Sequence, residues 1–236
     1  MDLSEEKIHT HPETECSLTK LTKYDLKMLQ PIDGYRFSVD ALLLAEFTKV
    51  KKKAKVAEFG AGVGVISLIL SKKYPNAYFT GFEIQNALFE LAKKNIEING
   101  LSNVEVLNAD IKELPKLFGP GSFDHVVTNP PFRPTNTGRL CPNTQEAISR
   151  HEILITLKDI IYVARWLLKP GGRLSIIYPS DRLSYLITTM SNNRIEPKRL
   201  RCIHPQKELN ARLVLLEGIK DGGIELIIEP PLFLNS

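Results

Sequence analysis

Asn129-Pro130-Pro131-Phe132 closes the apolar run Asp124-His125-Val126-Val127-Thr128, and these four residue types suit one task, gripping a flat, amino-bearing ring. The Asn129 carboxamide oxygen and the Pro130 carbonyl can each accept one N–H of an exocyclic amine, while Phe132 stacks on the ring that carries it. Proline has no N–H and a fixed φ, so the turn is stiff and its carbonyls face outward. A blander reading is that Asn-Pro-Pro merely stops a strand. The choice between them depends on what stands upstream.

Upstream, Val56-Ala57-Glu58-Phe59-Gly60-Ala61-Gly62-Val63-Gly64-Val65-Ile66-Ser67-Leu68 reads as a short buried strand, a glycine turn and the apolar start of a helix. Gly60, Gly62 and Gly64 let the backbone turn sharply and let a ligand approach without meeting a Cβ atom. A dinucleotide fold needs G-x-G-x-x-G; the third place is Val65 counted from Gly60 and Ser67 counted from Gly62, so that spacing fails. The Gly-Lys-Ser/Thr ending of a phosphate loop is also missing. The spacing E-x-G-x-G-x-G, opened by Glu58, suits a ligand without phosphate but with a charged amino-acid end and a nucleoside. S-adenosyl-L-methionine is that ligand. Ala77 to Phe82 reads as a second strand that ends at Glu83, placed to accept both ribose hydroxyls. Val104 to Asp110 reads as a third, whose terminal carboxylate can take the adenine amino group. Asn129 borders both the cofactor and the amine in this arrangement.

With these residues the chain resembles the class I S-adenosylmethionine-dependent methyltransferases, in the amino-methylating branch that carries Asn/Asp-Pro-Pro-aromatic. The resemblance covers roughly residues 32–232. It is closest to the bacterial tRNA1(Val) adenine-37 N6-methyltransferase family, on three features. These are Gly34-Tyr35-Arg36-Phe37-Ser38-Val39-Asp40-Ala41-Leu42-Leu43-Leu44-Ala45 near the start, Arg150-His151-Glu152 after the Asn-Pro-Pro-Phe loop, and Pro197-Lys198-Arg199-Leu200-Arg201-Cys202-Ile203-His204-Pro205 near the end. It implies methyl transfer to the N6 amine of a tRNA adenine, with no metal. Other uses of the same motif stay open: guanine N2 methylation of ribosomal RNA, protein glutamine methylation, DNA adenine methylation, or RNA binding without catalysis. Phe132 argues against the glutamine enzymes, which usually carry Tyr there. No separate DNA-reading domain fits in the remaining length.

The elements that must position these residues follow from the periodicity. Strands and helices alternate from about Lys55 to Thr128, which predicts a doubly wound α/β fold. The resemblance makes it a mostly parallel, seven-stranded sheet with one antiparallel strand inserted by a late hairpin. Residues 1–18 read as a loose polar tail and 19–236 as one methyltransferase domain, with 19–46 as an N-terminal cap and Ala41 to Phe47 helical. Leu88, Leu91 and Ile98 give Asn86 to Ile98 a helical rhythm for packing on the sheet. Residues 133–150 form a long polar loop, Glu152 to Leu168 a helix stopped by Lys169-Pro170-Gly171-Gly172, Arg173 to Tyr178 a strand, and Asp181 to Met190 a helix. Asp221-Gly222-Gly223 signals a hairpin turn.

Composition narrows the class further. The 236 residues, 43% hydrophobic, suffice for one full α/β core, and no stretch approaches eighteen apolar residues. Cys16, Cys141 and Cys202 are far apart and lack metal-ligand spacing, as expected of reduced thiols in a cytoplasm. The acidic, polar Met1 to Glu6 does not read as a secretion signal. The net charge of +4 is mild support for a nucleic-acid partner. Lysines 51–53 read as solvated surface, whereas Arg133, Lys198, Arg199 and Arg201 are the candidates for contact with the RNA, and Arg36 is a candidate to cover the substrate site from the N-terminal cap. The oligomeric state is open, with a monomer slightly favoured.

Overall fold

The computed structural model describes residues 5–9, 15–33, 36–131 and 155–235. Phe132 and Arg133, each given a role above, and the rest of the 133–150 loop lie outside the described residues. Strand β1 (Glu5–His9), β2 (Glu15–Leu21) and β3 (Leu26–Pro31) form an antiparallel three-stranded sheet. The segment read as a loose tail thus contributes β1 and part of β2, and the boundary drawn at residue 18 falls inside β2. Low hydrophobicity hid these strands, because β2 buries small polar side chains. Ser17 and Thr19 are covered, and Thr19 Oγ1 accepts a bond from the Gln30 amide at 2.7 Å.

Beyond it come helix α1 (Val39–Phe47), β4 (Lys55–Phe59), α2 (Val65–Lys73), β5 (Tyr78–Glu83), α3 (Asn86–Ile98), β6 (Val104–Asn108), the single turn α4 (Leu114–Leu117) and β7 (Phe123–Thr128). After the loop come α5 (Leu157–Leu167), β8 (Leu168–Pro179), α6 (Leu183–Asn192), β9 (Ile195–His204), β10 (Leu213–Lys220), β11 (Ile227–Ile228) and β12 (Leu232–Phe233). The main sheet runs β6-β5-β4-β7-β8-β10-β9, with β10 antiparallel to both neighbours. These are the expected seven strands with one antiparallel insertion. Two-residue β11 and β12 add parallel pairs to the outer edge of β9. Helices α1, α2 and α3 cover one face and α5 and α6 the other, each over its own apolar cluster.

The expected elements are present with shifted ends. Helix α5 starts at Leu157, where Thr156 and Asp159 form a reciprocal capping box, and α6 begins two residues later than expected, behind a 3-10 turn. Ile98 is exposed; the buried stripe of α3 is Leu88, Leu91, Ala92 and Asn95. Asp221-Gly222-Gly223 is not a hairpin. Both edges of β10 are already paired, by β8 and β9, so the chain crosses to the far side of β9 instead. Asp221 takes up a left-handed φ of 58° there and its N–H bonds the Arg194 carbonyl at 2.8 Å.

Two asparagines one turn apart, Asn95 on α3 and Asn99 at its C-cap, fasten the N-terminal sheet to the main body. Asn95 exchanges bonds with both Leu29 backbone groups (2.7 and 2.9 Å) and Asn99 does the same with Lys27 (2.8 and 2.7 Å). The carboxamides take the place of a missing neighbour strand for β3. Asn95 also donates to the Val63 carbonyl at 3.0 Å, which ties the glycine turn to the same anchor.

Candidate active site

Parallel strands bring the sequence motifs to one edge. Phe59 lies in register with Thr128 on one side and Phe82 on the other, and Glu83 with Asn108. The residues that follow the strands therefore stand side by side at their carboxyl ends, in the order Asp110, Glu83, Gly60, Asn129. Adjacent strands are about 4.8 Å apart, so Gly60 and Asn129 leave the sheet as close neighbours. Strand order reverses between β4 and β7, and that switch point is where open α/β sheets form their binding crevice.

The glycine turn is built for close approach. Gly60, Gly62 and Gly64 have φ of 67°, 56° and 86°, which side-chain-bearing residues rarely adopt. A Cβ on Gly60 would meet nothing within 4 Å, so that face of the turn is open to a ligand. One on Gly64 would come within 3.0 Å of Leu68 Cδ1, so this glycine also lets α2 pack against α3 through Ala92.

Glu58 is buried beneath the turn. Its Oε2 accepts the Ser67 backbone N–H at 2.9 Å and the Ser67 hydroxyl, so it caps the first turn of α2 from a distance. Its Oε1 is buried with no hydrogen-bond partner. Burial pushes the Glu58 carboxyl up to about 8; the Ser67 bonds oppose the rise and the charge of Glu83 adds to it. Glu83, also buried, accepts from Gly62 N and Gln85 N at 2.8 Å each, which fixes its carboxylate against the glycine turn. The Asn108 amide bonds the Glu83 and Ile84 carbonyls at 2.8 and 3.1 Å and so holds the β5 and β6 tips together. Asp110 caps the following 3-10 turn through Lys112 N at 2.9 Å and remains half-buried at the edge.

Asn129 follows β7 half-buried, Pro130 is buried and Pro131 exposed. Thr128 Oγ1 donates to the Phe59 carbonyl at 3.2 Å, which locks this strand end to the one that carries the glycines. Arg36, half-buried before α1, reaches Ser17 Oγ at 3.2 Å.

The basic run on β9 has internal partners. Arg199 lies 4.3 Å over the Phe47 ring and pairs with Glu229 at 2.7 Å and with Glu217 at 3.3 Å. Arg201 pairs with Glu229 at 2.8 Å, and Lys198 donates to the Gly223 carbonyl. Arg199 and Arg201 therefore anchor the C-terminal segment, and their guanidinium groups are engaged with its Glu229. Sequence reasoning missed Ser67, Asn95 and Asn108. Of these, Asn95 left a signal, a carboxamide in line with Leu88, Leu91 and Ala92 at helical spacing, where only a bonded polar group is tolerated.

Among the described residues no group of three His, Cys, Asp or Glu gathers to hold a metal, and no helix is long and apolar enough to cross a membrane.

Comparison with known proteins agrees with this fold. Residues 38–186 match the family model described as Methyltransferase small domain. A Porphyromonas gingivalis protein named tRNA1(Val) (adenine(37)-N6)-methyltransferase is 34% identical over 156 residues, which cover 64% of this chain and 60% of that one. A Flavobacteriaceae bacterium protein of the same name is 27% identical over 70% of this chain and 75% of its own. The match thus spans only three fifths of the length of the P. gingivalis relative. Among solved structures, a predicted O-methyltransferase from Agrobacterium tumefaciens superposes with a TM-score of 0.67 at 23% identity, over 83% of this chain and 88% of that one. A SAM-dependent methyltransferase from Aquifex aeolicus gives 0.55 at 17% identity, over 77% and 89%. These likenesses concern the fold.

Proposed function

This chain belongs to the methyltransferase small-domain family, and we propose that it transfers a methyl group from S-adenosyl-L-methionine to the N6 amine of an adenine in tRNA, at position 37 of tRNA1(Val). One observation carries the reading. The glycine turn after β4 and Asn129-Pro130 after β7 leave adjacent parallel strands at the same edge of the sheet. A methyl donor held at the first faces an amine held at the second. The name borne by the P. gingivalis and Flavobacteriaceae relatives supports the choice of tRNA and of adenine.

The residues present fit the cofactor. Glu58 Oε1 is a buried acceptor without a donor, in surroundings that disfavour its charge, and a ligand ammonium would satisfy it. Glu83, fixed by two backbone N–H groups, suits ribose hydroxyls, and Asp110 suits the adenine amino group. Gly60, with open space where a side chain would stand, admits the ligand to the backbone. When bound, the cofactor supplies an electrophilic methyl on a cationic sulfur, so this chain need supply no nucleophile or metal.

The chain's own contribution is to the amine. An aryl amine is a weak nucleophile because its lone pair is delocalised into the ring. Accepting its two N–H bonds at Asn129 Oδ1 and the Pro130 carbonyl favours a pyramidal nitrogen and aims the lone pair. Positioning, together with stabilisation of the positive charge that develops on nitrogen, would provide the acceleration. The proton leaves to water afterwards. An adenine in a folded loop must be splayed out to reach the pocket, and Phe132 offsets part of that cost by stacking.

The decisive test incubates the protein with labelled S-adenosylmethionine and total tRNA from a strain lacking the gene, then identifies the product by mass spectrometry. N6-methyladenosine in a valine tRNA is expected. Label entering only protein or ribosomal RNA would rule the reading out.

Glu58 gives a second expectation. Its carboxyl, held up at about 8, is largely protonated at pH 7 in the free protein. A ligand ammonium favours the charged form, so cofactor binding should release a proton between roughly pH 6 and 8. Calorimetry in buffers of different ionisation enthalpy measures this release directly. Glu58→Gln should remove it and weaken cofactor binding about tenfold. The same group makes the free protein less stable as pH rises from about 4.5, its unfolded value, to about 8, because only the unfolded chain ionises freely there.

A further inference from the structure

At the opposite end of the sheet from Asn129, a cavity of about 460 Å³ opens between α5, α6 and the turn before β7. Arg165, Arg194 and Lys220 line it. Among the described residues a single carboxylate stands in ion-pair range of these three cations. It is Asp221, 2.9 Å from Arg194 and 3.6 Å from Arg165. Lys220 is 7% exposed and donates one bond, to the Leu168 carbonyl at 2.6 Å. Three cations against one carboxylate leave two positive charges. Helices α5 and α6 both end here, and each C-terminus contributes roughly half a negative charge. About one positive charge remains uncancelled in a partly buried place. Burial, followed by the charge of Arg165, holds the Lys220 ammonium below the ordinary lysine range, as expected where cations crowd together.

Aromatic surface adjoins this charge. Tyr162 and Trp166 sit one turn apart on α5 and also line the cavity, 59% and 37% exposed. Trp166 Nε1 donates to the Phe118 carbonyl at 3.1 Å, which fixes its ring. Cations beside exposed rings suit a ligand that joins a phosphate to a base, since the phosphate meets the charge and the base covers the ring.

We propose that this cavity is a nucleotide site, separate from the methyl-transfer site, which takes one phosphate among Arg165, Arg194 and Lys220 and stacks the attached base on Tyr162. The single uncancelled charge matches the phosphodiester of an RNA strand; a free nucleotide is the other source of the same chemistry. The site stands whether or not the methyl-transfer reading holds, because neither sequence motif reaches it.

Trp166 is the sole tryptophan of the chain and lines this cavity, so tryptophan fluorescence reports from it. The full chain is titrated with pentauridylate and with uridine monophosphate, whose base does not mimic the adenosine of the cofactor. Saturable quenching is expected, unchanged by saturating S-adenosylmethionine. Arg165→Gln with Arg194→Gln should weaken binding at least tenfold and flatten its salt dependence, by about 0.7 in log–log slope for each phosphate that the protein no longer neutralises. Tyr162→Ala, an exposed change that spares the ion pairs, should weaken it at least threefold. Quenching by pentauridylate alone assigns a strand, and quenching by both probes assigns free nucleotides as well. The proposal is overturned if neither probe gives saturable quenching, if the cofactor displaces them, or if the variants bind as the parent does.

Discussion

Asn129→Ala lowers methyl transfer about 100- to 1,000-fold at saturating RNA, while cofactor affinity changes less than about threefold. The change removes one of the two acceptors proposed for the amine, and losing one preorganised electrostatic partner has an effect of that size. The backbone keeps its path, because the two prolines and the Thr128 bond to the Phe59 carbonyl hold the strand end without help from the carboxamide. Glu83 is fixed by backbone N–H groups and Glu58 by Ser67, so the two carboxylates proposed to hold the cofactor do not depend on Asn129 for their placement. Asn129→Asp keeps an acceptor and should recover part of the rate. Single-turnover rates and cofactor titration of the three proteins check this. A wild-type rate in Asn129→Ala would remove Asn129 from the mechanism.

Glu217→Ala should bring the largest loss of stability, about 3–5 kcal/mol. Glu217 is fully buried on β10 between Arg173, at 2.5 Å, and Arg199, at 3.3 Å. The Arg199 contact attracts without the alignment of a hydrogen bond, since Glu217 Oε2 has no hydrogen-bond partner. Deleting the carboxylate leaves two guanidinium groups facing each other in poor solvent. His125, on the same face of the sheet, does not help. Burial first, then Arg173 and Arg199, push its imidazole down to about 3, so it stays neutral beside Ser175. Urea unfolding measures the loss. Glu217→Ala combined with Arg173→Met and Arg199→Met should recover much of it, because well-packed apolar groups tolerate this site better than unpaired charge. Equal losses in the single and triple variants would contradict the account.

Legibility varied from place to place for physical reasons. The strand ends at Phe59, Glu83 and Thr128 were readable because buried parallel strands show as short apolar runs punctuated by Gly, Pro or a carboxylate. The N-terminal sheet was not, because its partner groups are the carboxamides of Asn95 and Asn99, 66 and 72 residues away. The turn at Asp221-Gly222-Gly223 was read as a hairpin because local sequence records a change of direction and not which strand edge is free.

The sequence by itself determined the pieces on which the proposed chemistry rests: a glycine turn, carboxylates at Glu58, Glu83 and Asp110, and a stiff Asn-Pro-Pro turn. These properties follow from residue type and neighbouring φ angles, which distant contacts barely alter. Only the tertiary structure decided that the two motifs share an edge, and which cations are engaged. Charge can be counted along a chain, but Arg199 meets Glu229 across 30 residues, and among the described residues Asp221 alone serves Arg165 and Arg194. Pairing is a property of distance in space, and the sheet order sets that distance.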